Sequence, residues 1–118
     1  MINEASNNDV IDIYVNKQFP TDKRSEWGST NVKIRREQFG WSLINYGTPL
    51  CYFINGMDIF FFNDKKYSPT TSKIQGQIRS ALHGKTVVVL GDLGDLIIDG
   101  LTSETQRQII VNFFERIK

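Results

Sequence analysis

One cysteine, one histidine, three prolines and no long apolar run in 118 residues exclude a good deal. A lone Cys51 closes no internal disulfide, so stability has to come from packing. Cys51 sits in the apolar string Leu50-Cys51-Tyr52-Phe53-Ile54, and the only histidine, His83, lies in another segment. A Cys–His nucleophile pair or a His/Cys metal site therefore has almost no material, and a buried, inert thiol is expected. Nothing approaches the roughly 20 apolar residues that span a bilayer. G-x-S-x-G, H-E-x-x-H and P-loop patterns are missing, and Glu26 and Glu37 have no visible partner carboxylate. Residues 1–9 are polar and acidic, without the basic start of a signal peptide. The expectation is a cytoplasmic, non-enzymatic protein with no membrane attachment, no metal and no cofactor.

What is abundant is aromatic: eight Phe, four Tyr and two Trp, within 40% hydrophobic residues overall. A chain of this length forms one domain and buries roughly two-thirds of its unfolded surface, enough for a core without staples. A single domain over residues 1–118 is expected, frayed over 1–9. Net charge is only +1, yet it is unevenly spread. Lys65, Lys66, Lys73, Arg79 and Lys85 fall in a stretch with no acid, while Asp92, Asp95, Asp99 and Glu104 fall in one with no base. Either segment marks a partner surface, or the two face each other in the fold.

Along the chain, β-branched residues 10–15 read as a first strand, and polar residues 16–31 as a long loop. Val32-Lys33-Ile34-Arg35 alternates as a half-buried strand. Asn55-Gly56 is the strongest hairpin signal, since both residues tolerate positive φ. A two-residue turn there pairs Ile54 with Met57, Tyr52 with Ile59 and Leu50 with Phe61, and puts these six on one face. The other face carries Cys51, Phe53, Asp58, Phe60 and Phe62 and, Asp58 aside, is also apolar, so something must cover it. Ile74, Ile78, Ala81 and Leu82 form one helical stripe, started at Pro69-Thr70-Thr71 and stopped at Gly84. Residues 86–90 read as a buried strand. Residues 91–100 read as a turn with a short strand at Leu96-Ile97-Ile98. Ser103-x-x-Gln106 is a capping box opening a last helix with the stripe Ile109, Ile110, Phe113, Phe114 and Ile117. The fold expected is α+β: an antiparallel sheet of four to five strands around the Asn-Gly hairpin, with two helices on one face.

Three constellations stand out. The string Tyr67-Ser68-Pro69-Thr70-Thr71-Ser72-Lys73, with Lys65, Lys66 and Arg79 nearby, sets hydroxyls and cations around a helix start, where free N–H groups favour an anion. It is a candidate site for a partner or a phosphate; capping by Thr70 or Thr71 is the structural alternative. The aromatics Phe53, Phe60 and Phe62, flanked by Trp41 or Tyr46, are suited to stacking unpaired bases, to a protein partner or homodimer, or to burial under a helix or the 16–31 loop. The cations Lys23, Arg24, Lys33, Arg35 and Arg36 read as a solvated strand edge. Asp92, Asp95 and Asp99 match no EF-hand spacing and read as turn formers.

Trp41-Ser42-Leu43-Ile44-Asn45-Tyr46-Gly47-Thr48, the Asn-Gly hairpin, and Tyr67-Ser68-Pro69-Thr70-Thr71-Ser72-Lys73-Ile74-Gln75 together resemble a family of small proteins from bacteriophages, plasmids and other mobile elements. Its pattern is roughly W-x-L-x-x-Y-x-T, a hairpin, then Y-S-x-T-T-x-K-x-Q. The resemblance covers residues 39–79 and implies a setting, a bacterial host cell, and no mechanism. In that setting the leading expectation is a protein that docks on a host macromolecule, a host protein first, with an anti-CRISPR-type inhibitor of a defence nuclease as its specific form. Direct nucleic-acid binding through the same basic surface comes second, and a small enzyme built on Asp92, Asp95 or Asp99 last.

Overall fold

A hairpin that is apolar on both faces has to be covered twice, and it is. The computed structural model describes residues 6–20 and 26–99, and of Asp95 and Asp99 the backbone alone. The chain is α+β, with α1 (Asn7–Val15), β1 (Glu26–Gly28), β2 (Val32–Arg36), β3 (Gly40–Asn45), β4 (Thr48–Ile54), β5 (Phe60–Asn63), α2 (Pro69–Ala81), β6 (Val87–Leu90) and α3 (Gly94–Asp99). The six strands form one sheet in the order β1-β2-β3-β4-β5-β6. Neighbours are antiparallel except the last pair, since β6 runs parallel to β5. No helix among the described residues is long and apolar enough to cross a membrane.

One face of the sheet packs on α1 and α2. Val32, Ile34, Trp41, Leu43, Phe53, Phe60 and Phe62 meet Val10, Ile11 and Tyr14 of α1 and Ile74 and Ile78 of α2. The other face packs on α3: Tyr52, Ile54, Phe61 and Val88 meet Leu93, Leu96 and Ile97. The expectation of helices on one face, over a purely antiparallel sheet, is therefore corrected. The α2 crossover carries the chain back to the starting end of β5, which makes the next strand parallel. The expected short strand at 96–98 is the helix α3, begun where Asp92 Oδ1 accepts the Gly94 N–H at 2.7 Å.

The expected first strand is α1. Its β-branched run misled, but a helical stripe lay inside it: Val10, Ile11, Tyr14 and Val15 are buried at i, i+1, i+4 and i+5. Ser6 caps the helix by accepting the Asp9 N–H at 3.1 Å, and Asp9 adds a carboxylate to the first turn. Such a cap stabilises a helix by about 1 kcal/mol. The 16–31 segment is less a loop than expected, because Glu26–Gly28 pairs with β2. The last helix, from Ser103, lies outside the described residues.

The hairpin exists, with a shifted register. Tyr52 faces Phe61 rather than Ile59, and Cys51 faces Phe62. The Met57 N–H does bond Ile54 O at 3.1 Å across Asn55-Gly56, with Gly56 at φ +86°, but pairing resumes only at Phe53 and Phe60. The slip is two residues. Side chains alternate with period two, so the composition of the faces survives it. Leu50 is the exception: the β3–β4 register shifts between Leu43 and Ile44, and Leu50 joins the α1/α2 side. The tight turn is instead Tyr46-Gly47, where φ is +50° and +82°.

Candidate functional site

The hydroxyl-rich string around the start of α2 is, in large part, a set of fasteners. Ser68, in extended conformation, is the N-cap and accepts the Thr71 N–H at 3.3 Å, so neither Thr70 nor Thr71 caps the helix. Thr71 is buried, and its hydroxyl donates to Asn45 Oδ1 at 2.8 Å, tying α2 to the β3–β4 turn. Gln75 donates to the carbonyls of Asn63 at 2.8 Å and Lys65 at 3.0 Å. Asn63 in turn donates to Pro49 O and to the Tyr67 hydroxyl, each at 2.9 Å, and accepts the Lys65 N–H. Pro69 has no N–H and Thr71's is taken by Ser68, so only that of Thr70 is left among the first three helical residues. The helix start is thus a poorer anion site than its sequence implied.

The cations lie elsewhere. Asp64, Lys65, Lys66, Ser72, Gly76 and Arg79, with Gln75 behind them, line a cleft of about 310 Å³ between the β5–α2 connection and one flank of α2. Arg79 is exposed, and its guanidinium carbon lies 5.2 Å from the ring centroid of Phe62. The Lys65 ammonium lies 5.8 Å from that of Tyr67. Rings at these distances attract a cation. Among the described residues, Lys65, Lys66, Lys73 and Arg79 form no ion pair; the two present are Lys17–Asp58 and Arg35–Glu37. Of the residues expected at the site, Lys65, Lys66 and Arg79 come together in the cleft. Lys73 and Thr70 are exposed on α2 outside it, Thr71 is in the interior, and Tyr67 is half-buried beside Lys65.

Phe53, Phe60 and Phe62 are 7%, 1% and 1% exposed, respectively, and form core. Phe53 and Phe60 lie 4.9 Å apart, Phe60 lies 5.7 Å from Tyr14, and Phe19 stacks on Trp41 at 5.1 Å. Of the readings open for these rings, burial under helices and the 16–31 segment is the one found: α1, α2 and Phe19 cover them, because an uncovered apolar face of that size is unfavourable in water. Tyr46, at the hairpin tip, is 68% exposed.

Burial pushes the Cys51 thiol up to about 12, so it is a core residue and a poor nucleophile. Burial likewise raises Tyr14 well above its usual value, and its hydroxyl donates to Trp41 O at 2.8 Å. Tyr52 is pushed up to about 12, first by burial and then by the Glu37 carboxylate; its hydroxyl is buried without a partner among the described residues. Glu37, for which the sequence showed no partner carboxylate, accepts from Arg35 at 2.7 Å and from Ser42 at 2.5 Å. Among the described residues no three His, Cys, Asp or Glu side chains gather as metal ligands. Asp92 is occupied at the start of α3, and the side chains of Asp95 and Asp99, with Lys23, Arg24 and Glu104, lie outside the described part.

Three residues of the cleft, Asp64, Gln75 and Gly76, escaped the sequence reading. Gln75 adjoins the apolar stripe and gave no sign of reaching back to the loop. Gly76 did carry a signal, an isolated glycine inside a helical pattern. Scans against family models and searches of curated proteins and solved structures returned no match.

Proposed function

We propose that this chain is a non-catalytic binding protein that docks on an acidic face of a host protein through the exposed side of α2 and the connection before it. The observation that carries this reading is the set of cations Lys65, Lys66, Lys73 and Arg79, exposed and without ion pairs among the described residues. Like charges in excess on neighbouring segments repel one another and are relieved by an acidic partner, which also gains association rate from the field. Burial of Phe53, Phe60 and Phe62 supports a protein over single-stranded nucleic acid, since the rings on which bases would stack are inside the fold. The narrower form, inhibition of a defence nuclease in a mobile-element setting, rests on the resemblance of residues 39–79.

The test is capture of a host protein from nuclease-treated lysate by the wild type and by a Lys65→Glu/Lys66→Glu/Lys73→Glu triple variant of unchanged melting temperature. Loss of capture on charge reversal is expected, and equal capture refutes the reading. Partners lost on nuclease treatment, with a salt slope near one unit per phosphate contact, would favour nucleic-acid binding instead.

A further inference from the structure

The cleft beside α2 is built in a way that a flat docking surface does not require. Two of its three cations lie over rings of the fold. Arg79 lies over the ring of Phe62, a buried core residue, and Lys65 over that of Tyr67, which Asn63 holds in turn. The backbone that presents Lys65 and Lys66 is fixed by Gln75, itself 8% exposed, through the carbonyls of Asn63 and Lys65. Pre-positioned donors lose little entropy when a ligand arrives.

At the helix side of the cleft stands Gly76. A Cβ built there meets no atom of the described residues within 4 Å, and its φ is not in the left-handed region. Neither packing nor backbone conformation therefore calls for glycine inside α2, where it destabilises the helix relative to alanine. What glycine does supply is a stretch of cleft wall without a side chain, beside Arg79, Lys65 and Lys66.

From these observations we infer that the cleft is a binding site for a small phosphate monoester. The lining carries three positive charges and one negative, Asp64, which a dianionic phosphoryl group balances and a single carboxylate does not. Arg79 offers a planar fork of donors matched to a phosphoryl group, Lys65 and Lys66 add point charges, and Ser72 a hydroxyl. Asp64 argues against a nucleic-acid backbone, because a continuing polyanion would run past its carboxylate. In a small ligand, a hydroxyl can donate to Asp64 instead. A volume of about 310 Å³ suits a phosphoryl group with a modest organic part. This assignment does not depend on the docking reading, and either can fail alone.

The probe is phenyl phosphate, titrated into the full-length protein and followed by amide chemical shifts. Saturable shifts clustered at residues 64–66, 72, 76 and 79 are expected. Arg79→Ala should weaken binding about tenfold or more, the usual scale for a lost charge-assisted hydrogen bond. Gly76→Leu should abolish binding with no loss of fold. Lys33→Gln removes the same charge from the sheet face away from α2 and should leave the affinity unchanged. Non-saturating shifts, or equal weakening by Lys33→Gln and Arg79→Ala, would reduce the effect to general electrostatics and overturn the site. Glutarate binding as tightly as phenyl phosphate would overturn the phosphoryl assignment. An oligonucleotide bearing only diesters that competes at equal phosphate concentration would overturn the small-ligand one.

Discussion

Gly76→Ala should make this protein more stable. Gly76 is the eighth of the thirteen residues of α2, well inside the helix, so its full conformational freedom is lost on folding. Host–guest scales put glycine about 0.8–1.0 kcal/mol below alanine in a helix interior, part of the gain arising from fewer conformations of the unfolded chain. At many positions a steric clash would offset that gain; here the added methyl meets no described residue within 4 Å. For a domain of this size, ~1 kcal/mol raises the melting temperature by about 4 °C. Urea unfolding followed by circular dichroism should show a higher midpoint at unchanged slope. An unchanged or lower midpoint would refute the reasoning, because it would mean that the outer face of α2 is filled or that the helix is not continuous through position 76. The variant should also lose affinity for phenyl phosphate as the methyl narrows the cleft. A glycine that sacrifices stability for binding is expected to show these two effects with opposite signs.

At Gly40 the outcome should be the reverse: an added Cβ would sit 1.9 Å from the Phe53 carbonyl oxygen, so Gly40→Ala should destabilise by about 2 kcal/mol or more, read as a lower urea midpoint. Phe60→Ala, which empties the centre of the aromatic cluster on Tyr14 and Phe53, should lower stability by about 3–5 kcal/mol in the same assay. Gln75→Leu leaves the carbonyls of Asn63 and Lys65 without their donor and should lower stability by about 1–3 kcal/mol; faster amide exchange at residues 63–67 is expected, and an unchanged exchange pattern would count against the role assigned to Gln75. Stability should fall as pH rises above about 9: Cys51, Tyr14 and Tyr52 all have raised values when folded, so the unfolded chain releases these protons first. Iodoacetamide at pH 8 should leave Cys51 unmodified until the protein unfolds, and rapid labelling of the native state would contradict its burial.

How much was legible depended on the range of the interaction concerned. The faces of the hairpin could be read because alternation has period two, and a register error of two residues leaves it intact. The stripe Ile74, Ile78 and Leu82 could be read because a helix repeats its face every three to four residues. Residues 10–15 failed because β-branched composition outweighed a stripe and a Ser6 cap that were both present. The functional string was legible as a string and misleading as a site. Ser68, Thr71 and Gln75 are polar residues with jobs inside the fold, and nothing local distinguishes a hydroxyl that caps or ties from one that meets a ligand.

By itself, the sequence determined the apolar faces, the reliance on packing rather than disulfides, and the crowding of positive charge between residues 65 and 85, because each is a property of composition or of short-period patterning. Only the tertiary structure decided that β6 runs parallel to β5, that the phenylalanines lie beneath α1 and α2, and that Arg79 joins Lys65 and Lys66 across a cleft while Lys73 stands apart. These outcomes depend on which elements meet, and contacts between residues distant along the chain are set by the packing of the whole.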